Sequence, residues 1–284
     1  MLGTGALAVV YRAHDPALDT EVAIKVLSPE SAQDPAIAAR FTAEARRLQG
    51  LSDERLVAVH DIGEFDDRPY LAMELIDGGT LADQLSEGRT LDPDDIERLV
   101  DGLGAAIVVV HAAGHIHRGI TPSDVLIRHT SRGDQLVLAD FGLGDTVDGR
   151  ADVHAASAVV GRAAFGDDWR RILVPHGPHG VTALEPPGTE PLAFELRRGL
   201  APDPSERHAS ISEWTRAVRA AASDHAEVVA ADQDARHRRG PVVRLVAGAL
   251  VVLAMVLAAA TISGVTSHVS TTAVQYERHS SVGP

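Results

Sequence analysis

HIHRGITPSDVLIRHTSRGDQLVLADFG, residues 115–142, decides how the rest of this 284-residue chain is read. A short apolar strand end leads into His117-Arg118-Gly119, then a Pro122 turn, an apolar run Val125-Leu126-Ile127, a turn at Gly133 and a second apolar run from Leu136 to Ala139. The pattern predicts a hairpin that delivers Asp140-Phe141-Gly142 at its far end. Asp140 is a candidate carboxylate for a hard metal ion.

Upstream, GTGALAVVY (residues 3–11) and EVAIKVL (residues 21–27) flank an acidic turn, which predicts a glycine-rich hairpin carrying Lys25 on its returning strand. The chain has no Asn and a single Lys among its 26 Lys plus Arg residues, so a composition bias has replaced these types wherever an alternative serves. A lone lysine falls at any one named basic position with odds of about one in 26, and arginine cannot mimic a compact ammonium at a phosphate. Lys25 is therefore expected to have a specific role.

Residues 34–50 read as a helix with Asp34 as N-cap, Pro35 at its first position and Gly50 at its end. Phe41, Ala45 and Leu48 share one face with Glu44 close by. A hairpin around Asp66-Asp67 follows, then Met73-Glu74-Leu75, a glycine pair and a helix over 93–114 that is apolar through Ile107 to Val110. His111, His115 and His117 raise a metal hypothesis, since the first two are four residues apart on a helix, but no carboxylate or further ligand stands at a matching spacing.

In order and spacing, these segments resemble the protein-kinase family: G-x-G-x-x-G-x-V, V-A-I-K, the catalytic loop H-R-D-L-x-x-x-N and D-F-G. The chain resembles in particular the bacterial transmembrane Ser/Thr protein kinases. Gly3, Gly5, Val10 and Lys25 match, while Ala8 replaces the third glycine. The resemblance implies an α+β, bilobal fold: a small β-rich lobe over 1–74, whose first strand is truncated or begins upstream, and a mainly helical lobe over 75–222. It further implies that Gly3, Gly5, Val10, Ala23, Lys25 and Glu44 line a nucleotide site, with Glu44 pairing Lys25 and Leu48 packing beneath. Met73, Glu74 and Leu75 would form the hinge facing the adenine, and Asp124 and Asp140 would hold Mg²⁺, with Asp124 standing where the family has Asn. His117 would pack on Phe141. ATP and Mg²⁺ are the implied cofactors, bound weakly.

Departures from the family pattern concentrate on transfer rather than binding. Gly119 occupies the position of the catalytic Asp, a loss worth on the order of 10²- to 10⁴-fold, and Thr121 replaces the loop lysine. Only LGDTVDGRA separates Gly142 from Asp152, where ADVHAASAVVGRAAFG reads as a buried small-residue helix, so the segment that carries the peptide platform is missing. Arg207, in a D-P-x-x-R turn with Asp203 and Pro204, loses the Ala-Pro-Glu glutamate it would otherwise meet. The expectation is a pseudokinase that scaffolds or regulates protein partners; a residually active Ser/Thr kinase and a tethered module without a nucleotide site are its rivals.

Residues 223–240 form a polar linker, and 241–265 a membrane-spanning helix whose core, Leu245 to Val265, has no charge. At 1.5 Å per residue such a run spans about 30 Å, the thickness of a bilayer core. Arg236, Arg238, Arg239 and Arg244 precede it against Arg278 after it, which places the N-terminal domain in the cytoplasm and the 266–284 tail outside. No signal-peptide pattern opens the chain. A net charge of −14 excludes nucleic acid as a partner, and the lack of cysteine excludes disulfides and thiolate metal sites.

Overall fold

Residues 1–17, 19–140, 148–174, 189–224 and 226 are described by a computed structural model. The small lobe is a five-stranded antiparallel sheet in the order β1-β2-β3-β5-β4, made of β1 (Gly3–Thr4), β2 (Ala8–Asp15), β3 (Thr20–Leu27), β4 (Val59–Phe65) and β5 (Arg68–Glu74). Asp66 and Asp67 join the last two strands with φ of 56° and 57°, so both central residues are left-handed, the geometry that matches strand twist in a two-residue hairpin. Helices α1 (Pro29–Ala32) and α2 (Pro35–Gln49) lie between β3 and β4. The α2 N-terminus is capped as the sequence predicts, Asp34 accepting from the Ala36 and Ile37 amides. Because side chains alternate along a strand, Lys25 shares the face of buried Ala23 and Leu27, opposite Val10 on β2 and Leu71 on β5.

The larger lobe begins with α3 (Leu81–Gln84) and α4 (Pro93–Ala112), continues through the hairpin of β6 (Val125–Thr130) and β7 (Gly133–Leu138), and closes with α5 (Arg150–Phe165), α6 (Trp169–Leu173), α7 (Glu190–Gly199) and α8 over 211–224. Asp92 caps α4, whose Ile96, Leu99, Val100, Leu103, Ile107 and Val110 are buried along one stripe. The alanines of α5 let its neighbours approach closely, and Trp214 of α8 is fully buried with its indole N–H donated to Ser157 Oγ at 2.8 Å. Between the lobes, Arg128 of β6 binds Glu74 at 2.7 Å and the Glu54 carbonyl at 2.8 Å. Leu138 bridges to Leu56, donating to the Arg55 carbonyl and accepting from the Val57 amide.

The lobes and nearly all the elements expected from the sequence are therefore present. No helix among the described residues is long and apolar enough to cross a membrane; the expected span at 241–265 and the tail at 266–284 lie outside those residues. Phe141 and Gly142 lie outside them too, so the expected packing of His117 on Phe141 is not described.

Candidate active site

A cavity of about 410 Å³ opens beneath the glycine-rich turn, and Lys25 and Asp140 meet there, Nζ to Oδ1 at 2.8 Å. The turn is closed by Gly5 N–H donating to the Ala8 carbonyl at 2.9 Å, which holds Gly5 to Ala8 over the opening. Of the residues the sequence nominates, Gly5, Val10, Lys25, Glu44, Gly119, Thr121, Asp124 and Asp140 line this cavity. Gly3, Ala23, Met73, Glu74 and Leu75 do not: Ala23 and Met73 are packed into the small-lobe core, and Glu74 is taken up by Arg128.

The expected Lys25–Glu44 pair is not formed. Lys25 is spent on Asp140, while Glu44 Oε2 accepts from Arg47 at 2.7 Å, one turn along α2. Glu44 is only 6% exposed and its Oε1 has no hydrogen-bond partner. Burial pushes its carboxyl above the ordinary glutamate range, and Arg47 only partly offsets this. The i,i+3 spacing of Glu44 and Arg47 was a signal available in the sequence.

Thr121 serves the loop rather than a phosphate. Its amide and hydroxyl both donate to Asp124 Oδ2, at 2.7 and 2.8 Å, and cap the short 3₁₀ turn Pro122–Asp124. The T-x-x-D spacing announces this cap. The Asp124 carboxyl is pushed up to about 6, first by burial and then by the charge of Asp140, against the Thr121 hydrogen bonds and Lys25. Its Oδ1 carries no hydrogen bond among the described residues, so an oxygen remains for a cation.

The loop itself is anchored from below by Asp152 of α5. Oδ2 accepts from the His117 amide and lies 2.8 Å from His111 Nε2, while Oδ1 accepts from the Arg118 amide at 2.7 Å. Burial would raise this carboxyl, but those donors outweigh it and hold it below the ordinary range. His117 is fully buried and donates Nε2–H to the Ala139 carbonyl at 3.0 Å; burial holds its own pKa down. These contacts account for two of the three histidines without a metal, and no cluster of three metal-ligating side chains occurs among the described residues. In the sequence Asp152 stands only as part of the small-residue helix. A carboxylate in a run of small apolar residues was the available sign of its anchoring role.

At the base position, Gly119 has φ of +93°, next to Arg118 at +64°, and a Cβ there would meet nothing within 4 Å. Space is available for a side chain, but the backbone is in a region that side-chain-bearing residues rarely adopt. Arg207 donates to carbonyls: those of Ala201, Pro202 and, at 3.0 Å, Arg150 in the first turn of α5.

Comparison with known proteins agrees with this geometry. Residues 1–165 match the family model described as the protein kinase domain. A probable serine/threonine-protein kinase of Streptomyces coelicolor is 37% identical over 170 residues, covering 58% of this chain and 25% of that protein. The serine/threonine-protein kinase PknE of Mycobacterium tuberculosis is 30% identical over 273 residues, covering 82% of this chain and 46% of its own length. The chain thus spans less than half the length of these curated relatives. The crystal structure of the Mycobacterium tuberculosis PknI kinase domain superposes with a TM-score of 0.62 at 28% identity, covering 78% of this chain and 94% of that one. The two-lobed fold, the lysine on β3 facing the aspartate after β7, and the match over more than half its length place this chain in the protein kinase domain family.

Proposed function

We propose that the chain is a membrane-anchored pseudokinase: a kinase-shaped domain that binds nucleotide weakly with a divalent cation, does not transfer phosphate efficiently, and acts through protein partners. The observation that carries this reading is Gly119, which puts no proton acceptor at the base position and holds the loop at φ of +93°. The donor set suits a nucleotide with Mg²⁺, which would be held by Asp124 and Asp140 with the phosphates on Lys25 under the Gly5–Ala8 turn. The cation would screen the phosphate charge. Binding is expected to be weak because Lys25 and Asp140 already satisfy each other at 2.8 Å and must part.

Thermal unfolding of the protein with Mg²⁺ and ATP or ADP tests the nucleotide site: stabilisation in wild type that is lost in Lys25→Ala supports it, and no shift in wild type removes it. Radiolabelled phosphate transfer to generic basic proteins and to the chain itself tests the rest. Transfer by wild type that disappears in Lys25→Ala would establish the residually active kinase instead, a reading favoured by the intact Asp152 anchor. Membrane anchoring through 241–265, with the kinase-like domain cytoplasmic, is supported by the arginine asymmetry about that run. A reporter fused after Pro284 should behave as external.

A further inference from the structure

Lys25–Asp140 and Arg128–Glu74 both join the small lobe to the large one, and they differ in where they stand. Lys25 and Asp140 line the cavity and must part before a ligand can use either. Arg128 and Glu74 do not line it. From β6, the Arg128 guanidinium spreads its donors over two pieces of the small lobe. Nη2 meets the carboxylate of Glu74, the last residue of β5, at 2.7 Å, and Nη1 meets the carbonyl of Glu54, ahead of β4, at 2.8 Å. Gln135 of β7 donates to the same carbonyl at 3.4 Å.

Those two pieces are where the sheet reaches the β6–β7 hairpin. Val57 donates to the Leu138 carbonyl at 3.0 Å and Leu138 to the Arg55 carbonyl at 2.8 Å; past Glu74, Gly78 donates to the Ile127 carbonyl and Ile127 to the Gly79 carbonyl, both at 3.0 Å. The pieces are also tied to each other, the Glu74 amide donating to the Ala58 carbonyl at 2.8 Å. All of these are backbone bonds; Arg128 adds a side chain that grips both pieces at once. A planar guanidinium with its donors in a fixed fork can do this, where a lysine would offer one point charge. The contact to Glu74 is charge-assisted, and Arg128 is largely shielded, with 21% of its side chain exposed. We propose that Arg128 is a clasp at the hinge: it holds the end of β5 and the entry to β4 against the hairpin while the cavity pair opens and closes, so that the lobes turn about Arg128 instead of separating. The cavity side chains take no part in it, so it stands or falls independently of nucleotide binding.

Native-state hydrogen exchange of the full chain without nucleotide tests the proposal, read at the Val57 and Leu138 amides that bond across the lobes. Arg128→Gln should speed both by about tenfold, and Glu74→Gln by severalfold. Adding Glu74→Gln to Arg128→Gln should change the rates by less than about twofold, because the contact is already gone. Lys25→Ala, which breaks the cavity pair, should leave both amides within about twofold of wild type. Raising NaCl from about 0.05 M to about 1 M should speed wild type severalfold through screening of the pair, and this response together with Glu74→Gln decides the matter if Arg128→Gln fails to fold. Arg128→Gln rates within twofold of wild type, a full further effect of Glu74→Gln in the Arg128→Gln background, an acceleration by Lys25→Ala equal to that of Arg128→Gln, or wild-type rates indifferent to salt would each overturn it.

Discussion

Asp152 on α5 and Glu44 on α2 are both buried helix carboxylates, and the protein treats them in opposite ways. Asp152 has a donor on each oxygen and sits below the ordinary carboxylate range; Glu44 has one oxygen bare and sits above it. The difference separates the two halves of a kinase. The anchor under the loop that carries Gly119 is formed, whereas the contact that would lock α2 onto the sheet lysine is open. The loop's anchor is therefore formed although glycine stands where the family pattern has aspartate.

Removing the better-satisfied carboxylate should have the largest effect. Asp152→Ala strands two backbone amides and His111 in a buried site and should destabilise the domain by about 3–5 kcal/mol in denaturant unfolding. A loss under about 1 kcal/mol would mean that the loop is held by something else. Gly119→Asp comes next. Forcing a side chain onto φ of +93° should cost about 1–3 kcal/mol of stability, and radiolabelled phosphate transfer should stay at background, since positioning contributes more than the base does. Strong rescue of transfer would show that the anchored loop lacked only its base.

Asp124 supplies a pH handle. Its folded value of about 6 exceeds the unfolded value of 3.8, so the folded state holds more protons between them and loses stability as pH rises through that window. With screening of a half-buried group, the effect should be on the order of 1 kcal/mol and should vanish in Asp124→Asn. A cation must displace that proton, so the thermal shift given by Mg²⁺ and ADP should grow from pH 5 to 7.5. The smallest effect belongs to Glu44→Gln, which removes a buried carboxylate paired through only one of its oxygens and should change stability by less than about 1 kcal/mol, in the stabilising direction. A large destabilisation would reveal a partner for that oxygen in solution.

Much of this was legible in the chain. The alternating apolar runs around Gly133 fixed the β6–β7 hairpin, Asp34-Pro35 the start of α2, and the lone lysine its place in the site. What escaped were choices among neighbours of similar energy. Glu44 had Lys25 and Arg47 within its chemical vocabulary, and helix spacing favours the arginine three residues away while Asp140 takes the lysine. Thr121 could face a ligand or cap a turn, and the cap is local and always available. The motif places Met73 to Leu75 at a hinge through their backbone groups; Met73 is buried in the small-lobe core and the Glu74 side chain meets Arg128.

Burial of Trp214 has an optical consequence. Both indoles of the chain are in the helical lobe, Trp214 fully enclosed and hydrogen-bonded to Ser157, and Trp169 beneath the Arg170 guanidinium at 4.6 Å. Tryptophan emission, excited at the red edge where tyrosine does not absorb, is therefore a label for that lobe alone and is blind to the sheet, whose fluorophores are Tyr11 and Tyr70. Emission and far-ultraviolet dichroism recorded on the same sample will coincide if the lobes unfold together and diverge if the sheet melts first, with no dye or added probe.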